Sequence, residues 1–234
     1  MQKNKIEIAN KIDHAILSPS HTYADFKNGI ETAKKHGVCS VCVYPSAIRE
    51  SLSLLRDTPV KVGTVLDFPF GRKTTKMRVG EAIRCVRLGA EEIDIVVRQD
   101  LIRGNSVYYH DIIEDLNEIF RAVKKEEEHD DVVLKLIIET CSLDLSTIKR
   151  VCTACSEVKP NFIKTSTGFG SKGADRDTIP VIATASRGCQ IKASGGIKTL
   201  ADVEDFLNLG CARIGTSNTE KIMEEWEEKY GYIV

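Results

Sequence analysis

Apolar residues in this chain fall into short, dense runs, separated by longer stretches in which they recur every three or four positions. The dense runs are 12–17 (IDHAIL), 38–43 (VCSVCV), 61–66 (KVGTVL), 92–97 (EIDIVV), 132–138 (VVLKLII), 162–166 (FIKTS), 190–194 (QIKAS) and 212–216 (ARIGT). Several are apolar almost without interruption, which is the pattern of parallel strands covered on both faces. Between them the spacing turns helical. In 22–36, Tyr23, Phe26, Ile30 and Ala33 share one face. In 108–127, Ile112, Ile113, Leu116, Ile119, Phe120 and Val123 form a broad stripe, running into the charged stretch KKEEEHDD. That stretch reads as a solvated helix end and loop.

The helix boundaries are marked as well. Thr22 with Asp25 and Thr199 with Asp202 resemble capping boxes, and Ser217 with Glu220 fits the strict pattern. Pro45 suits a first-turn position. Gly37, Gly89, Gly188 and Gly210 each stand shortly before a strand, where a left-handed residue would end the preceding helix. Eight strand runs with regular helical crossovers predict an α/β fold, a (β/α)₈ barrel forming a single domain over 1–234. An open doubly wound sheet is the alternative, but no dinucleotide fingerprint follows the first strand.

Composition narrows the field. The 234 residues, 42% of them hydrophobic, can bury a sizeable core. Lys and Arg (33) nearly balance Asp and Glu (34), so no basic face is implied and nucleic acid is not an expected partner. The start, MQKNKIEIANKIDHA, lacks the apolar core of a signal peptide, and no window approaches a membrane span; a cytosolic protein is expected. A homodimer is allowed for. Among eight cysteines, Cys39–Cys42 and Cys152–Cys155 have CxxC spacing. The first pair lies in a strand, where residues three apart face opposite ways, and the second in an amphipathic helix. Reduced, mostly buried thiols are expected.

Barrel active sites form at the carboxyl ends of the strands. Three polar residues sit awkwardly in those runs: Lys164 in FIKTS, Lys192 in QIKAS and Asp94 in EIDIVV. A lysine within a buried strand must find partners or lose its proton. Lys164 and Lys192 occupy matching positions on consecutive strands, about 4.8 Å apart. At an effective dielectric near 20, two charges about 4 Å apart repel by roughly 4 kcal/mol, about three pKa units. That would bring one amine from about 10.4 towards neutrality, and a neutral amine attacks carbonyl carbon. Burial acts in the same direction. Asp94 reads either as a general acid/base beside the lysines or as their structural counter-charge. Lys135, in VVLKLIIET, either helps to ionise Asp94 or only pairs with Glu139 on its own strand face.

Two loops suggest an anion site: Ser194-Gly195-Gly196-Ile197 after the seventh run and Gly215-Thr216-Ser217-Asn218 after the eighth. Backbone N–H groups at such loops and the helices they open receive phosphate. The loop TGFGSKGA (167–174) adds a cation, Lys172, beside the reactive lysine. Asp13 and Gly168 complete the expected substrate- and phosphate-binding set with Lys172, Gly195, Gly196, Gly215 and Ser217. The histidines, at 14, 21, 36, 110 and 129, form no close ligand cluster, so no metal is expected. His14 reads as a hydrogen-bonded wall residue.

With these residues in view, the chain resembles the deoxyribose-phosphate aldolases over nearly its whole length. The matching stretches are IDHAIL, VCVYPS, VGTVLDFPFG, GAEEIDIVV, LKLIIET, FIKTSTGFG, KASGGIKT and RIGTS, in the family's order. FIKTSTGFG with KASGGIKT is the most specific pair. The resemblance implies that Lys164 is the Schiff-base lysine, Lys192 the neighbour that perturbs its pKa, and Asp94 the proton-relay carboxylate. It further implies cleavage of 2-deoxy-D-ribose 5-phosphate to D-glyceraldehyde 3-phosphate and acetaldehyde, without metal or organic cofactor, in deoxynucleoside breakdown. The chain departs from the family at Ala15, where Thr is common, at Lys198 for Arg, at Asn218 for a second Ser, and at Arg98-Gln99 after the fourth strand. Two rivals stay open: another lysine-dependent lyase or transferase, and a non-catalytic binder of phosphorylated metabolites.

Overall fold

A computed structural model describes residues 5–102, 108–126 and 132–231. Eight parallel strands close into a barrel in the order β1 to β8, each paired with its sequence neighbours and β8 with β1. The strands are β1 (Ile12–Ile16), β2 (Ser40–Val43), β3 (Lys61–Leu66), β4 (Glu92–Val96), β5 (Val133–Ile137), β6 (Phe162–Lys164), β7 (Gln190–Ser194) and β8 (Arg213–Thr216). A short helix, α1 (Lys5–Ala9), precedes them. The helices that follow successive strands are α2 (Tyr23–His36), α3 (Ile48–Leu55), α4 (Thr75–Arg87), α5 (Tyr109–Glu126), α6 (Leu145–Glu157), α7 (Ile179–Ala185), α8 (Leu200–Asn208) and α9 (Thr219–Tyr230). The predicted (β/α)₈ barrel is the observed fold.

The alternation of each strand decides what the barrel holds. Outward residues such as Val41, Ile93, Ile95, Leu136, Ile163, Ile191 and Ile214 join the helices in the main apolar core. Because the helices cover that side, the strands read as apolar even though the inner face is highly charged. The α5 stripe packs as predicted, with Ile112, Leu116, Ile119 and Val123 buried and Ile113 and Phe120 at its edge. In α2, Ile30 and Ala33 are buried, but Tyr23 is 65% exposed and donates to Glu50. The charged run KKEEEHDD continues α5 as far as Glu126; its remainder, including His129, lies outside the described residues.

Helix ends follow local chemistry. Thr22 with Asp25 and Thr199 with Asp202 form complete capping boxes. Ser217 with Glu220 does not: the residue before α9 is Asn218, and the Glu220 carboxylate binds Lys35 and His36 of α2. Gly37 adopts φ 60°, and its N–H donates to the carbonyls of Ala33 and Lys34, closing α2. Pro45 opens a single 3₁₀ turn ahead of α3. No helix of the described residues is long and apolar enough to cross a membrane.

Candidate active site

The register of neighbouring strands brings the inner side chains into one cluster. Asp94 lies opposite Lys135, Lys164 opposite Lys192, and Lys192 opposite Arg213. The Asp94 Oδ2 atom accepts from both Lys164 Nζ and Lys192 Nζ at 2.7 Å, while its Oδ1 lies 3.2 Å from Lys135 Nζ. Asp94 thus bridges the two lysines, which lie side by side as the sequence placed them. The lysine pair and the carboxylate read from the strands meet at one point, and all three are at least 97% buried.

Above this cluster opens a cavity of about 310 Å³. Lys164, Lys192 and Cys42 line its depth; Gly168, Phe169, Gly195, Gly196, Lys198, Ser217 and Asn218 line its mouth. The loops at the mouth are tied together. Ser194 Oγ donates to the Ser166 carbonyl (2.6 Å), and Thr216 Oγ1 donates to the Ile197 carbonyl (2.7 Å). The Ala174 N–H donates to the carbonyls of Ser194 and Gly195, which brings Gly173 so close to Gly195 that any Cβ at Gly173 would lie 2.0 Å from the Gly195 oxygen. Two glycines are therefore needed where these backbones meet. Phe169 packs edge-on against Phe68, with ring centroids 5.3 Å apart, and forms an aromatic side to the entrance.

Four of the expected residues meet surroundings that the sequence alone did not show. Of the two roles open to Lys135, the one beside Asp94 is the one seen: it binds Asp13 (2.9 Å) and Glu92, lies 3.2 Å from Asp94 and does not pair with Glu139. Glu139 instead has φ 55° and accepts from the N–H and hydroxyl of Thr167, so the strand's alternation has ended before it. Asp13 lines the cavity floor, but its carboxylate is engaged by Lys135, Lys192 and Arg213, which suits holding cations and not binding an anionic substrate group. Lys172 is exposed and does not line the cavity; Lys198 is the cation at its mouth. Gly215 lines the cavity from the end of β8, and a Cβ there would lie 3.2 Å from Lys192 Cε and 2.8 Å from Ser194 Cβ, so it also makes room for the lysine stem. Arg213 and Glu92, which bind each other and the cluster, went unread although each stands two residues before a recognised inward position.

Elsewhere, His14 Nδ1 lies 2.8 Å from Thr219 Oγ1, the wall role expected of it. All eight cysteines are free, five of them buried. Among the described residues, no group of three or more His, Cys, Asp or Glu side chains could hold a metal ion.

The profile of the DeoC/LacD family of aldolases matches residues 7–215. The chain belongs to this aldolase family. As a member it is an enzyme of the lyase class. The deoxyribose-phosphate aldolase of Thermoanaerobacter sp. (strain X514) is 36% identical over 224 residues, covering 95% of this chain and 98% of its own. A solved aldolase, QR15, superposes with a TM-score of 0.88 at 32% identity, over 97% of this chain and 99% of that one. The deoxyribose phosphate aldolase of Aeropyrum pernix, described as a tetramer, gives 0.86 at 27% identity, over 97% and 93%.

Electrostatics separates the two lysines of this aldolase. Burial pulls the Lys164 amine below the ordinary lysine range; Asp94 opposes that and Lys192 adds to it. Burial is thus the larger cause, and repulsion from Lys192 the smaller, the reverse of the weighting expected from two adjacent ammonium groups. Burial also acts against charge on Lys192, but Asp13 and Asp94 outweigh it and raise its pKa. Asp94 is held well below the carboxylate range, because Lys135, Lys164 and Lys192 together exceed the cost of burying it. Burial pushes the Cys42 thiol, 3.9 Å from Asp94, up to about 11, so it stays neutral. The site therefore presents one amine inclined to lose its proton beside a fixed ammonium and a fixed carboxylate.

Proposed function

We propose that this aldolase cleaves 2-deoxy-D-ribose 5-phosphate reversibly to D-glyceraldehyde 3-phosphate and acetaldehyde, through an imine on Lys164. The observation that carries the reading is a buried amine of lowered basicity at the end of β6, open to the cavity and 2.7 Å from Asp94. The name of the Thermoanaerobacter relative supports the choice of substrate.

In the proposed cycle, neutral Lys164 attacks C1 of the open-chain sugar, and loss of water gives a protonated imine. The C3 hydroxyl then gives up its proton to Asp94, through a water held with Lys192. The C2–C3 electron pair moves into the iminium as C3 becomes a carbonyl, and glyceraldehyde 3-phosphate leaves. The remaining enamine takes that proton back at carbon from Asp94 through the same water, and hydrolysis of the resulting iminium releases acetaldehyde and free Lys164. The cycle needs no metal and no organic cofactor. We place it in deoxynucleoside breakdown in the cytoplasm, in a homo-oligomer whose size, dimer or tetramer, sedimentation would decide.

The test is borohydride reduction in the presence of deoxyribose 5-phosphate, with the adduct located by peptide mass. An adduct on Lys164 is expected; none with the sugar phosphate would overturn the reading and favour a binding protein.

The phosphate belongs at the mouth, where the Gly195-Gly196 turn, Gly168, Ser217 and Lys198 converge. Ser217→Asp places a negative charge there. Cleavage of the phosphorylated sugar is expected to fall about a hundredfold or more, while imine formation with plain acetaldehyde stays within about twofold. Equal losses on both compounds would mean general damage.

Glu139 is expected to act on the same phosphate indirectly. Its carboxylate holds Thr167, and Thr167 Oγ1 in turn accepts from the Phe169 N–H at 3.0 Å, so the Gly168 turn between them is fixed from behind. Glu139→Ala should raise KM for deoxyribose 5-phosphate about tenfold with kcat little changed, a loss of on the order of 1.4 kcal/mol of uniform binding. Steady-state kinetics on the folded variant checks the split.

A further inference from the structure

Beneath the reacting lysine lies a connected set of buried charges, bounded on the β8 side by the partly buried Arg213, whose sum depends on whether Lys164 carries a proton. Its anions are Asp13, Glu92 and Asp94. Its cations are Lys135, Lys192, Arg213 and, when protonated, Lys164. The contacts form a continuous network. Arg213 binds Asp13 and lies 3.2 Å from Glu92; Lys135 binds Glu92 and Asp13 and faces Asp94; Lys192 binds Asp13 (2.6 Å) and Asp94. With Lys164 neutral, three positive charges meet three negative ones; with Lys164 protonated, four meet three.

We propose that Arg213 and Glu92, neither of which lines the cavity, are positioning residues that set the basicity of Lys164 by balancing this buried set when its amine is neutral. The inference rests on the reading of Lys164 as the imine-forming amine.

An unbalanced charge is expensive to keep away from water, so a proton on Lys164 is disfavoured as long as the other six groups cancel. Losing the Arg213 charge leaves the set one negative with a neutral amine, and protonating Lys164 would restore balance. Losing the Glu92 charge leaves it one positive, and protonation would make matters worse. The other groups facing Lys164 do not offset this. Cys42 from β2 stays a neutral thiol, and Glu139 is turned towards Thr167. His21 and Lys198 stand at the solvent-open mouth of the cavity. Of the four cations, Lys164 alone has its pKa lowered; burial opposes the charge on all four, but carboxylates outweigh it at Lys135, Lys192 and Arg213.

Arg213 lies two strand spacings from Lys164, about 10 Å. A unit charge at that distance shifts a buried pKa by on the order of one unit, about tenfold in neutral amine below the pKa. The experiment follows the pH dependence of cyanoborohydride-trapped imine with acetaldehyde on full-length protein, with the adduct assigned by peptide mass. Arg213→Gln is expected to displace the profile to higher pH, with about tenfold less imine near neutrality. Glu92→Gln is expected to displace it to lower pH. The double variant Arg213→Gln/Glu92→Gln, balanced again, should return to the wild-type profile, and Arg213→Lys should never leave it. Local damage would not cancel in this way. Should one single variant fail to fold, the displacement of the other, and its cancellation in the double variant, decide. Single-variant profiles that coincide with wild type, or a double variant that stays displaced, overturn the inference while the adduct on Lys164 still stands. An adduct on another lysine in the wild type overturns the proposed function first.

Discussion

Lys164→Ala is expected to give a folded barrel that forms no borohydride-stable adduct and loses cleavage by on the order of 10⁵-fold or more. The size follows from the role: without the amine there is no imine, and so no electron sink for the C2–C3 bond. The survival of the fold follows from the charges. Removing a neutral amine leaves Lys135, Lys192 and Arg213 against Asp13, Glu92 and Asp94, and Asp94 keeps Lys192 at 2.7 Å and Lys135 at 3.2 Å. The measurements are peptide mapping after reduction and thermal unfolding of the same sample. A persistent adduct on Lys192 or Lys135 would show that the nucleophile is misassigned.

Lys192→Met should be the next most damaging change near neutral pH, for a different reason. It keeps most of the stem but removes a positive charge that shares Asp94 Oδ2 with Lys164. Two consequences act in the same direction. The direct repulsion is gone, and Asp13 and Asp94 lose a counter-ion that a protonated Lys164 can replace. The Lys164 pKa should rise by about two units, so neutral amine near pH 7 falls about a hundredfold. A raised lysine pKa means that the lost imine returns as pH is increased through it. Trapping with acetaldehyde across pH should therefore show an alkaline displacement, while full cleavage recovers less, because in the proposed cycle proton transfer at C3 also uses Lys192. Coincident profiles would leave burial alone to lower the Lys164 pKa.

Much of this site was legible in one dimension. Dense apolar runs and glycine-terminated helices led to the barrel, because a strand covered by helices is apolar on its outer face whatever it holds within. Lys164, Lys192 and Asp94 stood out because charged residues inside such runs have few structural uses. The same alternation would have reached Arg213, two before Gly215, and Glu92, two before Asp94. A charge at or next to the edge of a run carries a weaker signal, because it reads equally well as a strand end. Lys135 was placed correctly beside Asp94, but its alternative partner, Glu139, lies elsewhere. Period-two reasoning carried Glu139 onto the same face, whereas β5 ends at Ile137 and the left-handed backbone of Glu139 turns its carboxylate to Thr167.

The linear sequence by itself determined which positions alternate, where helices begin and end, and which ionisable groups must be buried, since these depend on neighbours within a turn or a strand. Tertiary structure alone decided who meets whom. Closing the sheet brought Asp13 to Lys192 and, 200 positions away in sequence, to Arg213, and set one Asp94 oxygen against both amines. It also left Lys172 in solvent and turned Glu220 to α2 instead of capping α9. The balance of charge around Lys164 is a sum over six of the eight strands, β1 and β4 to β8, and no local pattern contains that sum.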